Sequence, residues 1–417
     1  MNKRNMYTSV RYLLACLLLI SGGVVSAQSL TALIEEAAQK NLGLKAWDQE
    51  YQSAMERAPQ SRLLPETQLS VGAFALPVET RNGPQRLRVG TMQMFPWFGT
   101  LDAKEELSRK QAAPLVSKKD LHAIDVEYQI KLAYYRLFQL KESREILNRN
   151  ITLLESLRQL SLSKVEGGKA STADVLRLEI KLRESRQQLA IIEKQWIQPQ
   201  SRINQLLNRD PLTHISVDDS FQFAQLNLEP KHNFHSQKTD HPALQILSKE
   251  QDRSRAAIKL NEKMAKPRWG VGIDYLLVDD IPTADFETNG RDALLFKASL
   301  NIPLQSKVYQ SKNREENLRI EALETRKNLM EDQFLAQIEQ AIANHESAEL
   351  KYDLYEKQEE SIRSVIQLLQ SDYSHNGERF DELLNLEQDL LSYELKKLEA
   401  IVESHHAKAA LERIILN

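Results

Sequence analysis

The layout of this chain occurs twice. A short helix, a hairpin of two strands and a pair of long helices joined by a turn run through the first half, and the same order returns in the second. Asn41–Leu44 near the start of the first half corresponds to His241–Leu244, Pro65 before the first hairpin to Pro267, and Gln93–Pro96 after it to Leu300–Pro303. The longest match is ungapped: DVLRLE at 174–179 aligns with ELLNLE at 382–387, and Leu182 with Leu390. The offset grows from 200 (41 to 241) to 208 (174 to 382), as small insertions after an ancient duplication leave it. The first repeat spans 28–215, the second 236–417, and a connecting segment lies at 216–235.

Glycine shows where the helices lie. The chain has 13 glycines in 417 residues, and none between 100 and 166, 169 and 269, or 291 and 376. Those intervals are rich in Leu, Glu, Lys, Gln, Arg and Ala, the strong helix formers. Apolar residues recur in them at threes and fours. Leu147, Ile151, Leu154 and Leu157 form one run; Leu178, Leu182, Leu189, Ile192 and Trp196 another; Leu354, Ile362, Val365 and Leu369 a third. Such narrow stripes suit long helices paired along a seam, at about 98–208 and 306–415. Gly167-Gly168 and Asn376-Gly377 interrupt them, and Gly and Asn tolerate the left-handed backbone that a helix–helix turn needs. Ser171 is placed to cap the following helix, with Asp174 three residues on to complete a capping box.

Two hairpins separate the helical intervals, at about 66–96 and 268–303. In the second, Trp269, Val271, Ile273, Tyr275 and Leu277 alternate with Gly270, Gly272 and Asp274. Its returning strand sets Leu294, Phe296, Ala298, Leu300 and Ile302 against Lys297, Ser299 and Asn301. A period of two puts each set on its own face. Strands of about ten residues, apolar on one face and small or polar on the other, meet the requirement of a membrane barrel. A half-buried soluble sheet shares that period. Four strands cannot close a barrel, and open edges in lipid leave backbone groups unpaired at several kcal/mol each. If these strands cross a membrane, several chains must pool them.

Residues 1–27 have the pattern of a secretory signal peptide: Lys3, Arg4 and Arg11, the apolar run Leu13–Ile20, then Val25-Ser26-Ala27. A retained anchor is the other reading, and Leu13–Cys16 loosely matches a lipoprotein box. Cleavage removes the only Cys, so the exported chain has no cysteine nucleophile, thiolate metal site or disulfide. With a net charge of −3 and balanced signs, there is no basic footprint for nucleic acid. His345, His375 and the His405-His406 pair lack ligand spacing and read as solvated residues on helix faces, so no metal or cofactor is expected. Neither a nucleophile elbow nor a phosphate-binding loop occurs, and the chain does not read as an enzyme. After residue 30 no apolar run reaches the length of a membrane helix, which excludes a bundle of transmembrane helices.

Helix, hairpin and long helix pair, twice over, resemble the TolC family of outer-membrane efflux channels. The matching runs are GKASTADVL at 168–176, NQLLNRDP at 204–211, MFPWFG at 94–99 and HPAL at 241–244. The resemblance covers essentially all of 28–417, and the run ending at Gly99 is most similar to the heavy-metal and cation efflux branch. It implies a mainly α fold with a membrane β-barrel. Four strands from each protomer of a homotrimer would make a 12-stranded barrel in outer-membrane lipid, continued by an α-helical tunnel through the periplasm. It also implies a passive exit duct of a tripartite export system, with a periplasmic adaptor (membrane fusion) protein and an inner-membrane pump as partners.

The two turns would then lie at the periplasmic tip, where such channels are gated and meet the adaptor. The residues implicated there are Gly167, Gly168, Asp174, Tyr373, Asn376, Gly377, Arg379, Asp381 and Glu382. Tyr373 fits the family's Tyr three residues before the turn Gly, with Asn376 in the Gly position. Asp174 falls where family members carry a tip aspartate, and Glu382 is its repeat partner. Both also read as ordinary acidic residues at helix N-termini, favourable against the dipole. The competing reading is a periplasmic adaptor or coiled-coil scaffold without a pore, against which the doubled layout and paired hairpins argue.

Overall fold

The structure is a computed structural model that describes residues 29–217, 219–226, 240–283, 285–376 and 379–415. The expected signal peptide, the connecting segment from 227 onwards and Gly377 lie outside the described residues. The chain begins with α1 (Leu30–Lys40), α2 (Leu42–Met55) and α3 (Arg57–Ser61), then β1 (Gln68–Thr80) and β2 (Gly83–Phe95). Three helices complete the first half: α4 (Thr100–Glu166), α5 (Thr172–Gln195) and α6 (Ile197–Leu206). The second half repeats the order with α7 (Pro242–Met264), β3 (Arg268–Val278), β4 (Ala293–Asn301), α8 (Ser306–Asn376) and α9 (Phe380–Glu412). With 67 and 71 residues, α4 and α8 far exceed the usual helix of about 11–12. Their glycine-free, Leu/Glu/Lys-rich composition is the local reason. Pro114 stands inside α4 without ending it. Among the described residues no helix is long and apolar enough to cross a membrane.

The chain forms two compact units, each drawing on both halves of the sequence. One takes residues 29–41, 125–226 and 340–411, the other 42–124, 240–339 and 412–415. In the first, Tyr134, Leu137, Phe138, Ile203, Leu207 and Ile215 are buried in one apolar cluster. Residues 219–226 run over it as an extended strap anchored by Phe221, whose ring meets those of Tyr135, Phe138 and His405 edge-on at 5.2, 5.0 and 4.9 Å. With no strand beside it among the described residues, the strap must find partners for its backbone groups elsewhere. The helices supply them. Ser404 Oγ accepts from the Ala224 N–H, while the Nε2 atoms of His345 and His405 reach the carbonyls of Ala224 and Gln222 at 2.6 and 2.8 Å. This corrects the solvated reading of His345, which is buried. Burial also lowers the pKa of His406 below the usual histidine value, with His405 beside it acting in the same direction.

The second unit holds a four-stranded antiparallel sheet in the order β1-β2-β3-β4. The β2–β3 pairing joins the two hairpins: Phe95 lies opposite Trp269, Val89 opposite Tyr275 and Leu87 opposite Leu277. Phe95 and Trp269 stack at 4.5 Å between ring centroids. Residues paired across strands share a face. The registers therefore gather Leu69, Val71, Val89, Tyr275, Leu294 and Phe296 on one apolar face. None of the described residues covers it: Leu69 is 75% exposed and Phe296 76%. The other face carries Ser70, Arg88, Asp274, Lys297 and Ser299 over the small Gly90, Gly270 and Gly272, with Met92, Met94, Leu276 and Leu295 as apolar exceptions.

Candidate functional site

The two helix turns both belong to the first unit. At the first, Gly168 adopts φ +67° and closes α4 with a pair of backbone bonds, Gly168 N–H to the Val165 carbonyl and Lys169 N–H to the Lys164 carbonyl. This is the reciprocal pattern by which a left-handed residue satisfies the last carbonyls of a helix. Gly167 still donates to the Ser163 carbonyl as part of the helix end. The next helix starts from a capping box. Ser171 Oγ accepts from the Ala173 N–H at 3.1 Å, and Asp174 Oδ2 accepts from the Ser171 N–H at 3.2 Å. Asp174 is thus engaged by its own backbone.

The second turn is built differently. The left-handed position expected at Asn376 or Gly377 falls, within the described residues, on Arg379 with φ +63°. Asn376 itself is helical, as the last residue of α8, and Gly377 lies outside the described residues. The Arg379 carbonyl accepts from the Leu383 N–H and so opens α9, and its guanidinium binds Glu382 at 2.5 Å and Asp372 at 3.6 Å. Glu382 is held from its own turn, as Asp174 is. The two repeat-related acids therefore do not join each other within the chain.

Other residues tie the two helical hairpins together. Tyr373 is fully buried, with its hydroxyl 2.7 Å from Ser161 Oγ on α4 and its ring 5.2 Å from Phe380. Burial raises its phenol pKa, an effect Ser161 offsets in part and the Asp174 charge reinforces. Lys164 Nζ donates to the Ser374 carbonyl at 2.8 Å and sits 5.9 Å above the Tyr373 ring. Arg177 of α5 forms an ion pair with Asp381 of α9. Beneath these contacts Leu157, Leu178, Leu182, Leu369, Leu383 and Leu384 make one buried cluster. Glu387 is buried at its side with Gln370 Nε2 at 3.1 Å, and burial raises its carboxyl pKa.

Of the residues singled out from sequence, Tyr373, Arg379, Asp381 and Glu382 come together at the second turn, while Gly168 and Asp174 shape the first. Ser161, Lys164 and Arg177 were missed. Lys164 carries one weak signal, a basic residue in the last turn of a long helix. Arg177 carries none, because the repeat aligns it with Asn385. An exposed ion pair contributes about 0.2–1 kcal/mol. A fully buried aromatic contributes several times that. The apolar seam around Tyr373 therefore holds the hairpins together, and the charges adjust it.

No protein-family model matches this sequence, and no curated protein matches it. Solved structures do match. The transmembrane channel protein CusC superposes with a TM-score of 0.75 at 14% identity, covering 94% of this chain and 92% of its own. The open-state outer-membrane channel MtrE of Neisseria gonorrhoeae gives a TM-score of 0.72 at 15% identity, with 93% and 88% covered. The outer membrane protein VceC of Vibrio cholerae gives 0.70 at 13%, with 93% and 95% covered. The chain has the fold of the TolC-family outer-membrane channels.

Proposed function

We propose that this chain is one protomer of a homotrimeric efflux channel, whose strands sit in the outer membrane and whose helices form a duct through the periplasm. The observation that carries this reading is the bare apolar face of the sheet, joined to a fold shared end to end with such channels. One sheet of four strands leaves two edges open, and lipid tolerates none. Three copies would remove them by closing a 12-stranded barrel. A pore-less adaptor has no use for such a face. The channel is passive: an inner-membrane pump supplies the energy, and a periplasmic adaptor docks at the tip. The test is fractionation followed by reconstitution. A heat-dissociable trimer in the outer membrane that conducts ions across planar bilayers is expected; a soluble periplasmic monomer overturns the reading.

In this reading the tip comprises Gly167, Gly168, Asp174, Tyr373, Asn376, Gly377, Arg379, Asp381 and Glu382, with Ser161, Lys164 and Arg177 added. Opening separates the α4–α5 hairpin from the α8–α9 hairpin, which breaks the Arg177–Asp381 pair and the Ser161–Tyr373 bond. Arg177→Ala should raise the open fraction of the reconstituted channel, and Asp381→Ala should do the same. Unchanged gating in both variants removes these residues from the gate.

A further inference from the structure

The polar face of the sheet holds a charged cluster remote in sequence from the helix turns. Asp274 of β3 is 0% exposed, gripped by cations from both neighbouring strands. Arg88 of β2 pairs with its Oδ2, and Lys297 Nζ of β4 lies 2.5 Å from its Oδ1. Space for the carboxylate comes from Gly90, directly opposite Asp274 in the register, because a Cβ there would run into the Asp274 side chain. The arrangement is thus built by three strands and a glycine. Its charges do not cancel: two cations face one carboxylate. No further charge compensates within the strands. Arg86 is paired with Asp279, Glu79 lies near the far end of β1, and Arg268 starts β3 about 20 Å from Asp274.

We propose that this cluster forms a cationic ring in the lumen of the barrel and makes the outer-membrane exit prefer anionic solutes. The inference rests on the channel reading, which turns the polar face inward and repeats the cluster at one level in three protomers. Rings of charged side chains set pore selectivity, and lumenal substitutions tune it without disturbing the lipid face. Because Asp274 is buried between Arg88 and Lys297, it takes up one positive charge and leaves the other to face the water. Screening over about 8 Å at physiological salt confines the preference to solutes passing close to the wall, so it strengthens as salt is lowered.

The experiment is the reversal potential of the full-length channel in a planar bilayer under a potassium chloride gradient at low ionic strength. The readout is the shift from the native value, because the acids of the tip and of the β3–β4 loop (Asp279, Asp280, Asp285, Glu287 and Asp292) also set the absolute selectivity. Lys297→Gln removes the surplus while the Arg88–Asp274 pair survives, and should move the reversal potential toward the cation side. Asp274→Asn leaves both cations uncompensated and should move it the opposite way. Arg88→Gln makes the same charge change as Lys297→Gln and replaces it if that variant does not assemble. If the native protein conducts but all variants share its reversal potential, the ring is overturned and the channel reading stands. If the native protein does not conduct at all, the channel reading itself fails.

Discussion

Around Tyr373 and across the sheet, the same chain arranges its residues in opposite senses. At the helix turns the aromatic ring is buried and the ion pairs Arg177–Asp381 and Arg379–Glu382 lie at the surface. In the sheet Asp274 is buried and Phe296 and Leu69 are bare. A surface is selected by the solvent it meets, so the contrast divides the molecule into a part suited to water and a part suited to hydrocarbon. The two buried carboxyls sharpen the point. Asp274 is flanked by two cations, whereas Glu387 has an amide from Gln370 as its hydrogen-bond partner.

The comparison can be broken by experiment. Tyr373→Ala should be the most damaging change to the helical region, about 3–5 kcal/mol for a fully buried aromatic, read as a fall in the melting midpoint of the detergent-purified protein. Tyr373→Phe, which loses only the bond to Ser161, should lose about 1 kcal/mol. Phe296→Arg tests the other region. Near the middle of a lipid-facing strand it should cost about 2–4 kcal/mol per protomer and deplete the assembled trimer in outer-membrane fractions. A normal trimer yield would mean that the apolar face does not meet lipid.

Glu387→Gln gives a smaller and pH-dependent effect. The carboxyl pKa is raised by burial, so its favourable share of stability is complete below the usual carboxylate range and is lost as the pH rises through the folded value. The variant, which cannot ionise, should therefore melt like the native protein in acid and above it at pH 8, by on the order of 1 kcal/mol. Equal differences at both pH values would show that burial does not raise the Glu387 carboxyl pKa. The smallest effect belongs to Arg177 and Asp381. A double-mutant cycle should find a coupling of about 0.2–1 kcal/mol that fades with added salt.

What the sequence made legible was whatever a local pattern could carry. Alternation marked the strands because a period of two assigns faces directly, and Gly168 marked the first turn because its φ of +67° suits glycine. The family-like runs proved to be structural devices: His241 caps α7 through its Nδ1, and the buried Asn204 side chain donates to the Pro211 and Thr213 carbonyls. The rest depended on distant partners. Arg177 meets Asp381 across 204 residues and has no repeat counterpart, and Arg379 adopts a backbone that its side chain does not advertise. His345 was misread for the same reason, since its partner is a carbonyl in a strap far along the chain.

The register of the sheet has a consequence for biogenesis. The β1–β2 hairpin is local, but β2 finds its other neighbour only in β3, so Phe95 and Val89 wait for Trp269 and Tyr275. Synthesis delivers the first hairpin, with an unpaired edge and an oily face, while more than a third of the polypeptide still separates it from its partner strand. Pairings of such long range form slowly, and the exposed edge invites association with other chains in the meantime. The nascent protein therefore needs protection over that interval, and the segment to be protected is Gln68–Phe95.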